Sequence, residues 1–377
     1  MVFVKEEKRK IRTNKILLLA NRLIIVYNSS MSLMFQPQYS ITDQLLANIK
    51  RISSLVTELN NRRFPNVVLL ELERSAREVS SFASTSIEGN PLPLTEVKKI
   101  LKSAPSHIRD SEKEVLNYNQ ALQDLNKQLK KGKVKLTLAL ILKTQKQVTD
   151  GLLPKFEIGR LREKPVVVND PKIGQAVYLP PDVKDVRLLM DNLVEFINEN
   201  RNIIDPLILA GIFHKQMVVI HPFMDGNGRT ARLATKVLLA EMGLNTFNLF
   251  SFENYYNQNV TKYFQTVGEF GNYYDLFKKI DFTSFLEYFT EGIIDELLRV
   301  QKLLPEVATS PENELQPHHL KILEFIRQKG FITDRDYAKE TSRAKATRAL
   351  DFQKLIELGL IERRGKGRAT YYVLKEK

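Results

Sequence analysis

His221, Asp225, Arg229 and Arg232 fall within one short stretch, His221-Pro222-Phe223-Met224-Asp225-Gly226-Asn227-Gly228-Arg229-Thr230-Ala231-Arg232. These residue types at this spacing suit phosphoryl chemistry. His221 titrates near neutral pH and can take a proton from an attacking hydroxyl. Asp225 is a hard oxygen ligand of the kind Mg2+ uses together with substrate phosphates. Gly226 and Gly228 permit positive φ and place no Cβ in the way, so backbone N–H groups can converge on an anion. Arg229 and Arg232, three apart, share a helical face and can fork onto successive phosphates of a nucleotide. Each feature alone has a plain reading: Gly-Asn-Gly turns are common, and surface arginines are usually solvated. Their joint spacing points to a phosphate site with a base beside it.

The flanks must position this loop. Met217-Val218-Val219-Ile220 is apolar, and Leu233 to Ala240 favours helix, so the stretch reads as helix, tight loop, helix. The loop then lies at a helix N-terminus, where unpaired N–H groups and a partial positive charge favour anions.

With those residues in view, the stretch resembles the signature of the Fic family, His-Pro-Phe-x-Asp/Glu-Gly-Asn-Gly-Arg-x-x-Arg, met here at every fixed position. The resemblance implies a nucleotidyltransferase that moves AMP from ATP to a Ser, Thr or Tyr hydroxyl of a protein and releases diphosphate. It implies His221 as general base and Asp225 as the Mg2+ ligand. Gly226, Asn227 and Gly228 would hold the α- and β-phosphates, and Arg229 and Arg232 the β- and γ-phosphates. Phe223 would be a buried anchor. Family members that phosphorylate replace the second glycine by lysine, so Gly228 argues for AMP transfer.

Upstream, Ser84-Thr85-Ser86-Ile87-Glu88-Gly89-Asn90-Pro91 reads on its own as a helix stop. Gly89 suits the left-handed C-terminal position and Pro91 forbids continuation. Ser84, Glu88, Gly89 and Asn90 are also similar to the inhibitory motif that many such proteins carry. On that reading Glu88 pairs with Arg232 in the place of the γ-phosphate. The same glutamate could position a water for removal of AMP. The resemblance further points to an asparagine near the nucleotide base, with Asn259 in the matching place, although Val260 stands where arginine is common.

The chain has 377 residues, 43% of them hydrophobic, which supports two or three domains. Its formal charge of +13 suits nucleotide, nucleic acid or another acidic partner. It has no cysteine, which excludes disulfides and thiol chemistry and fits a cytoplasmic location. Residues 1–34 read as an extension whose apolar tract, broken by Asn21 and Arg22, is too short to cross a bilayer; translation is expected to start at Met31 or Met34, leaving this segment untranslated.

The expected fold is mainly α. A helical region with the inhibitory motif spans residues 35–110, and the Fic core with a β-hairpin flap spans 111–304. Ser111-Glu112-Lys113-Glu114 has capping-box spacing. Pro165 to Val168 and Ala176 to Leu179, joined by an Asn/Asp/Pro/Gly turn, read as a hairpin with an exposed edge for an extended target segment. Phe252 to Phe270 continues the helical pattern, and His214 is a packed or surface histidine. Residues 305–317 read as a linker. Residues 318–377 resemble a small α+β winged helix domain of three helices and a basic hairpin, in which Arg343, Lys345 and Arg348 would meet the groove or its phosphates, with Lys366 and Arg368 at the wing.

The implied partners are ATP, a protein bearing a hydroxyl side chain (or the chain itself) and DNA, with a homodimer as a candidate assembly and no membrane. Alternatives stay open: removal of AMP from a modified protein, or a DNA-binding regulator that senses nucleotide without turnover.

Overall fold

The computed structural model describes residues 35–61, 66–103, 105, 107–132, 134–169, 175–241, 243–244, 250–308 and 315–375. The N-terminal extension, the tip of the expected hairpin (170–174), part of the expected linker (309–314) and the Arg368 side chain lie outside what is described. Among the described residues the order is α1 (Asp43–Asn61), α2 (Asn66–Ile87), α3 (Leu94–Lys102), α4 (Asp110–Lys131), α5 (Leu138–Val148), β1 (Val168–Asn169), β2 (Ala176–Leu179), α6 (Val183–Asn200), α7 (Pro206–Ile220), α8 (Asn227–Glu241), α9 (Phe252–Gln258), α10 (Val260–Val267), β3 (Gly271–Asn272), α11 (Tyr273–Leu276), α12 (Thr283–Ala308), α13 (Pro317–Lys329), α14 (Asp334–Glu340), α15 (Lys345–Glu357), β4 (Ile361–Arg364) and β5 (Tyr371–Leu374). The fold is mainly helical, as the periodicity requires.

α7 is the axis. It has no polar face, because nearly every residue from Leu207 to Ile220 is buried. A helix apolar all round belongs in the centre of a core. Its start is fixed by Asp205, whose carboxylate accepts the Leu207 N–H at 2.8 Å, and by Pro206 at the first helical position. α8 packs along α7, α5 and α4 pack on α8, and α1 lies on α12. Gly211 lets α12 approach: a Cβ there would lie 2.5 Å from Leu286 Cδ2.

The hairpin differs from the isolated unit the sequence suggests. β1 is shorter than the Pro165–Val168 run and pairs antiparallel with β2, Val168 opposite Tyr178. β2 also pairs in parallel with β3, Tyr178 opposite Gly271. One edge of β2 is therefore covered, and the free edge belongs to β1.

Three further boundaries move. α4 starts at Asp110, where Glu112 rather than Glu114 closes the cap by accepting the Arg109 N–H at 2.8 Å. The expected continuous helix over 252–270 is broken at Asn259 (φ −141°, ψ 74°) into α9 and α10. α12 runs past Pro305 to Ala308, into the stretch read as linker.

The C-terminal helices and hairpin have their own core of Ile322, Leu323, Ile326, Ile332, Tyr337, Phe352, Leu355 and Ile361. β4 and β5 pair antiparallel, Ile361 opposite Leu374, and Ile332 bridges to Tyr372. No helix among the described residues is long and apolar enough to cross a membrane.

Candidate functional site

α7 ends at His221, which adopts a left-handed conformation (φ 49°, ψ 59°); no other non-glycine residue among those described has a positive φ. Its N–H still bonds the Met217 carbonyl at 3.1 Å. The ring Nδ1 lies 3.3 Å from the Val218 carbonyl. A carbonyl can only accept, so Nδ1 carries the hydrogen and Nε2 keeps its lone pair. Burial pushes the His221 pKa below the ordinary histidine value, against that hydrogen bond and the acidic neighbours Glu88 and Asp225. Near neutral pH the imidazole is thus held as a base.

The loop after His221 is closed by its own side chains. Asn227 Oδ1 accepts the Phe223 N–H at 2.9 Å, and Asn227 Nδ2 donates to the Phe223 carbonyl at 3.0 Å. Phe223 is fully buried, which anchors the loop in the core. Asn227 spends its amide on the loop, so its own ligand contact would be through the backbone. Gly226 has φ 80° and its carbonyl accepts the Thr230 N–H at 2.9 Å, which starts α8. Gly228 is helical and not left-handed. Its missing Cβ matters for space: an added one would lie 2.1 Å from Glu88 Oε1 and 2.9 Å from Arg232 Nη1. The first N–H groups of α8 have no partner within the helix, and Gly228 leaves one side of them bare.

Both arginines are fully buried and paired. Arg232 donates to Glu88 Oε1 (2.7 Å), to Ser84 Oγ (2.7 Å) and to the Ser84 carbonyl (2.9 Å). Burial works to lower the Arg232 pKa, but the Glu88 carboxylate and nearby phenols override it and the net direction is up. Arg229 donates to Glu114 Oε1 (3.0 Å) and Asp225 Oδ2 (2.8 Å). Asn90, after the left-handed Gly89 (φ 93°), donates to Glu114 Oε2 and to the Ser111 carbonyl, both at 2.8 Å. The stretch Ser84 to Asn90 therefore reaches both arginines, directly through Glu88 and through Glu114.

Asp225 is half exposed, 49% at the side chain, and accepts the Gly226 N–H at 2.6 Å. One exposed carboxylate at the mouth of an N–H cradle fits Mg2+, which takes one or two carboxylates and keeps waters and phosphates. Asn259 is elsewhere employed: it caps α10, accepting the Lys262 N–H at 3.0 Å.

Sequence reasoning missed three groups here. Glu114 reads as a helix cap. Arg162, 4% exposed, donates through Nε to the His221 carbonyl at 2.9 Å. Tyr263 stands between Arg232 and His214: Arg232 Nη1 is 3.5 Å from its hydroxyl, which is 3.0 Å from His214 Nε2. His214 is indeed packed, fully buried among aromatic rings.

Residues 135–239 match the model of the Fic/DOC family. That stretch of the chain is similar to a Fic domain. Over 219 residues it is 29% identical to the protein adenylyltransferase Fic of Drosophila erecta, covering 53% of this chain and 42% of that protein. The protein adenylyltransferase Fic of Aedes aegypti is 28% identical over the same length, with 42% of it covered. The chain thus spans less than half the length of these relatives. In fold it is similar to a Fic family protein from Desulfovibrio desulfuricans G20, with a TM-score of 0.59, 20% identity, and coverage of 91% of this chain and 99% of that one.

In the C-terminal unit, two of the five cations singled out in the sequence are engaged internally. Arg343 forks onto the buried Asp351 (2.8 and 3.1 Å), and Arg348 onto Asp334 (2.8 and 2.9 Å). Lys345 and Lys366 are exposed.

Proposed function

We propose that this chain is a protein adenylyltransferase. His221 Nε2 takes the proton from a target hydroxyl, whose oxygen attacks the α-phosphorus of ATP. The bond from that phosphorus to the bridging oxygen breaks, and diphosphate leaves. Asp225 would hold Mg2+, which neutralises developing phosphate charge when bound. The backbone of Gly226 to Gly228 and the positive end of α8 receive the α- and β-phosphates. Arg229 and Arg232 serve the outer phosphates once released from their carboxylates.

The observation that carries this reading is the tautomer of His221. Its Nδ1–H is spent on Val218, so the lone pair of Nε2 is free. A nucleotide sensor has no need of that arrangement. The resting arrangement is inhibited, because Glu88 lies on Arg232 and against the Gly228 backbone. In the C-terminal unit we propose a winged helix whose DNA contacts fall to Lys345, Lys366 and Arg368.

The test is transfer of α-phosphate-labelled ATP to protein by the full chain, comparing wild type, Glu88→Gly, and Glu88→Gly with His221→Ala. Label should rise in the single variant and vanish in the double one. Label that persists without His221 would overturn the base assignment. No label in any form, with target lysate supplied, would favour AMP removal or nucleotide sensing.

A further inference from the structure

Arg162 is buried, yet among the described residues it has no carboxylate within ion-pair distance. Its guanidinium instead meets three carbonyls. Nε donates to His221 O at 2.9 Å, Nη1 to Lys164 O at 3.3 Å, and Nη2 to Pro181 O. Its backbone N–H donates to Pro222 O at 2.9 Å. A buried cation with no carboxylate in contact is costly, and Asp182 acts on it only from a longer distance, so these contacts need a reason.

Their positions supply one. Lys164 precedes β1 and Pro181 follows β2, so the fork closes the base of the hairpin. The remaining two acceptors are the successive carbonyls of His221 and Pro222, where the chain leaves α7. The left-handed conformation of His221 costs about 1–2 kcal/mol for a residue with a Cβ, and Arg162 fastens the two carbonyls that follow that strained step. A second tie runs from the same hairpin to the same helix end: the Tyr178 hydroxyl of β2 donates to Val219 O at 2.9 Å.

We infer that Arg162 is a positioning residue that locks the His221 backbone to both ends of the hairpin, so that the base and the strand edge offered to a target move as one body. The inference rests on the AMP-transfer reading above. Lysine cannot replace arginine here, because one ammonium cannot span three carbonyls set around a planar fork.

The experiment compares Arg162→Lys and Arg162→Gln, each in the full chain carrying Glu88→Gly. Melting temperature and Mg-ATP binding by calorimetry establish that the nucleotide site is intact; where lysine prevents folding, the glutamine variant carries the test. The expected result is a loss in kcat for label transfer of about 100-fold, the scale of a misplaced catalytic group, with KM for ATP unchanged. The ring resonance of His221, assigned by its absence in His221→Ala, should move in both variants while that of His214 stays. Unchanged kcat in a folded variant, or loss of ATP binding in step with kcat, would overturn the inference. Should Glu88→Gly itself transfer no label, the AMP-transfer reading fails, and the His221 resonance alone decides the Arg162 contact: a fixed resonance refutes it.

Discussion

Glu88 Oε1 lies 2.7 Å from the Arg232 guanidinium and would be 2.1 Å from a Cβ placed on Gly228. One carboxylate thus engages an arginine and covers the bare backbone at the start of α8. An anion that needs both must displace it. Gly228→Ala separates these two roles, since it fills the backbone face whether or not Glu88 is present. Mg-ATP affinity measured by calorimetry should fall at least about tenfold, or 1.4 kcal/mol, in Gly228→Ala. It should fall equally in Gly228→Ala combined with Glu88→Gly. Recovery of binding in the combined variant would mean that Gly228 matters only through Glu88.

Glu114 holds the other arginine. Its two oxygens receive Arg229 and Asn90, so it joins the stretch after α2 to α8. Glu114→Gln keeps the shape and removes the charge, leaving buried Arg229 with Asp225 as its carboxylate. The expected cost is about 1–3 kcal/mol of stability, the scale of an under-satisfied buried polar group, read as a lower melting temperature. With one competitor for Arg229 gone, Mg-ATP affinity should rise. A melting temperature equal to wild type would show that the Glu114 contact contributes nothing.

The reason Glu114 escapes sequence reading is instructive. Ser111 and Glu114 have capping-box spacing, but α4 begins at Asp110 and Glu112 closes the cap. A shift of two residues turns a supposed cap into a side chain facing Arg229. The cluster from His221 to Arg232 was legible because its residues are nearly consecutive, and the pairing of Glu88 with Arg232 because its stretch keeps a recognisable spacing. Arg162 and Tyr263 act on residues 59 and 31 positions away, and no local pattern encodes such pairs. The parallel pairing of Gly271 and Asn272 with β2 is equally silent, since neither residue favours a strand.

His214 gives a pH-dependent prediction. The Thr235 hydroxyl donates to Ala231 O at 2.7 Å, so at 3.2 Å it can only accept from His214 Nδ1–H. Nε2 then accepts from Tyr263, whose oxygen is left to receive Arg232. Burial, followed by the charge of Arg232, lowers the His214 pKa to about 3. The folded value lies below the unfolded one near 6.5. The unfolded chain therefore binds more protons between these values, and stability is lost as pH falls from about 6.5 towards 3, by about 1.4 kcal/mol per pH unit at most. His214→Gln should flatten the slope of melting temperature against pH across that window. An unaltered slope would place the acid sensitivity in other groups.

The C-terminal cations divide by engagement, and that division can be measured. Asp351 is buried and receives Arg343, the Tyr337 hydroxyl at 2.8 Å and His318 Nε2 at 3.2 Å. His319 is turned the same way, because its Nδ1 accepts the Gln316 N–H at 3.1 Å and its Nε2–H faces Asp351. Arg343→Ala would leave a buried carboxylate short of its main counter-charge, and Arg348→Ala would free Asp334 at the start of α14. Both changes should lower the melting temperature of the C-terminal unit. Lys345 and Lys366 are exposed and bear no such duty. If this unit binds DNA through phosphate contacts, Lys345→Ala and Lys366→Ala should leave the melting temperature unchanged. Each should reduce the slope of log affinity against log salt by about 1. Affinity for duplex DNA that is insensitive to both lysines and falls only with Arg343 would reverse the assignment, since a stability effect would then be acting in place of a phosphate contact.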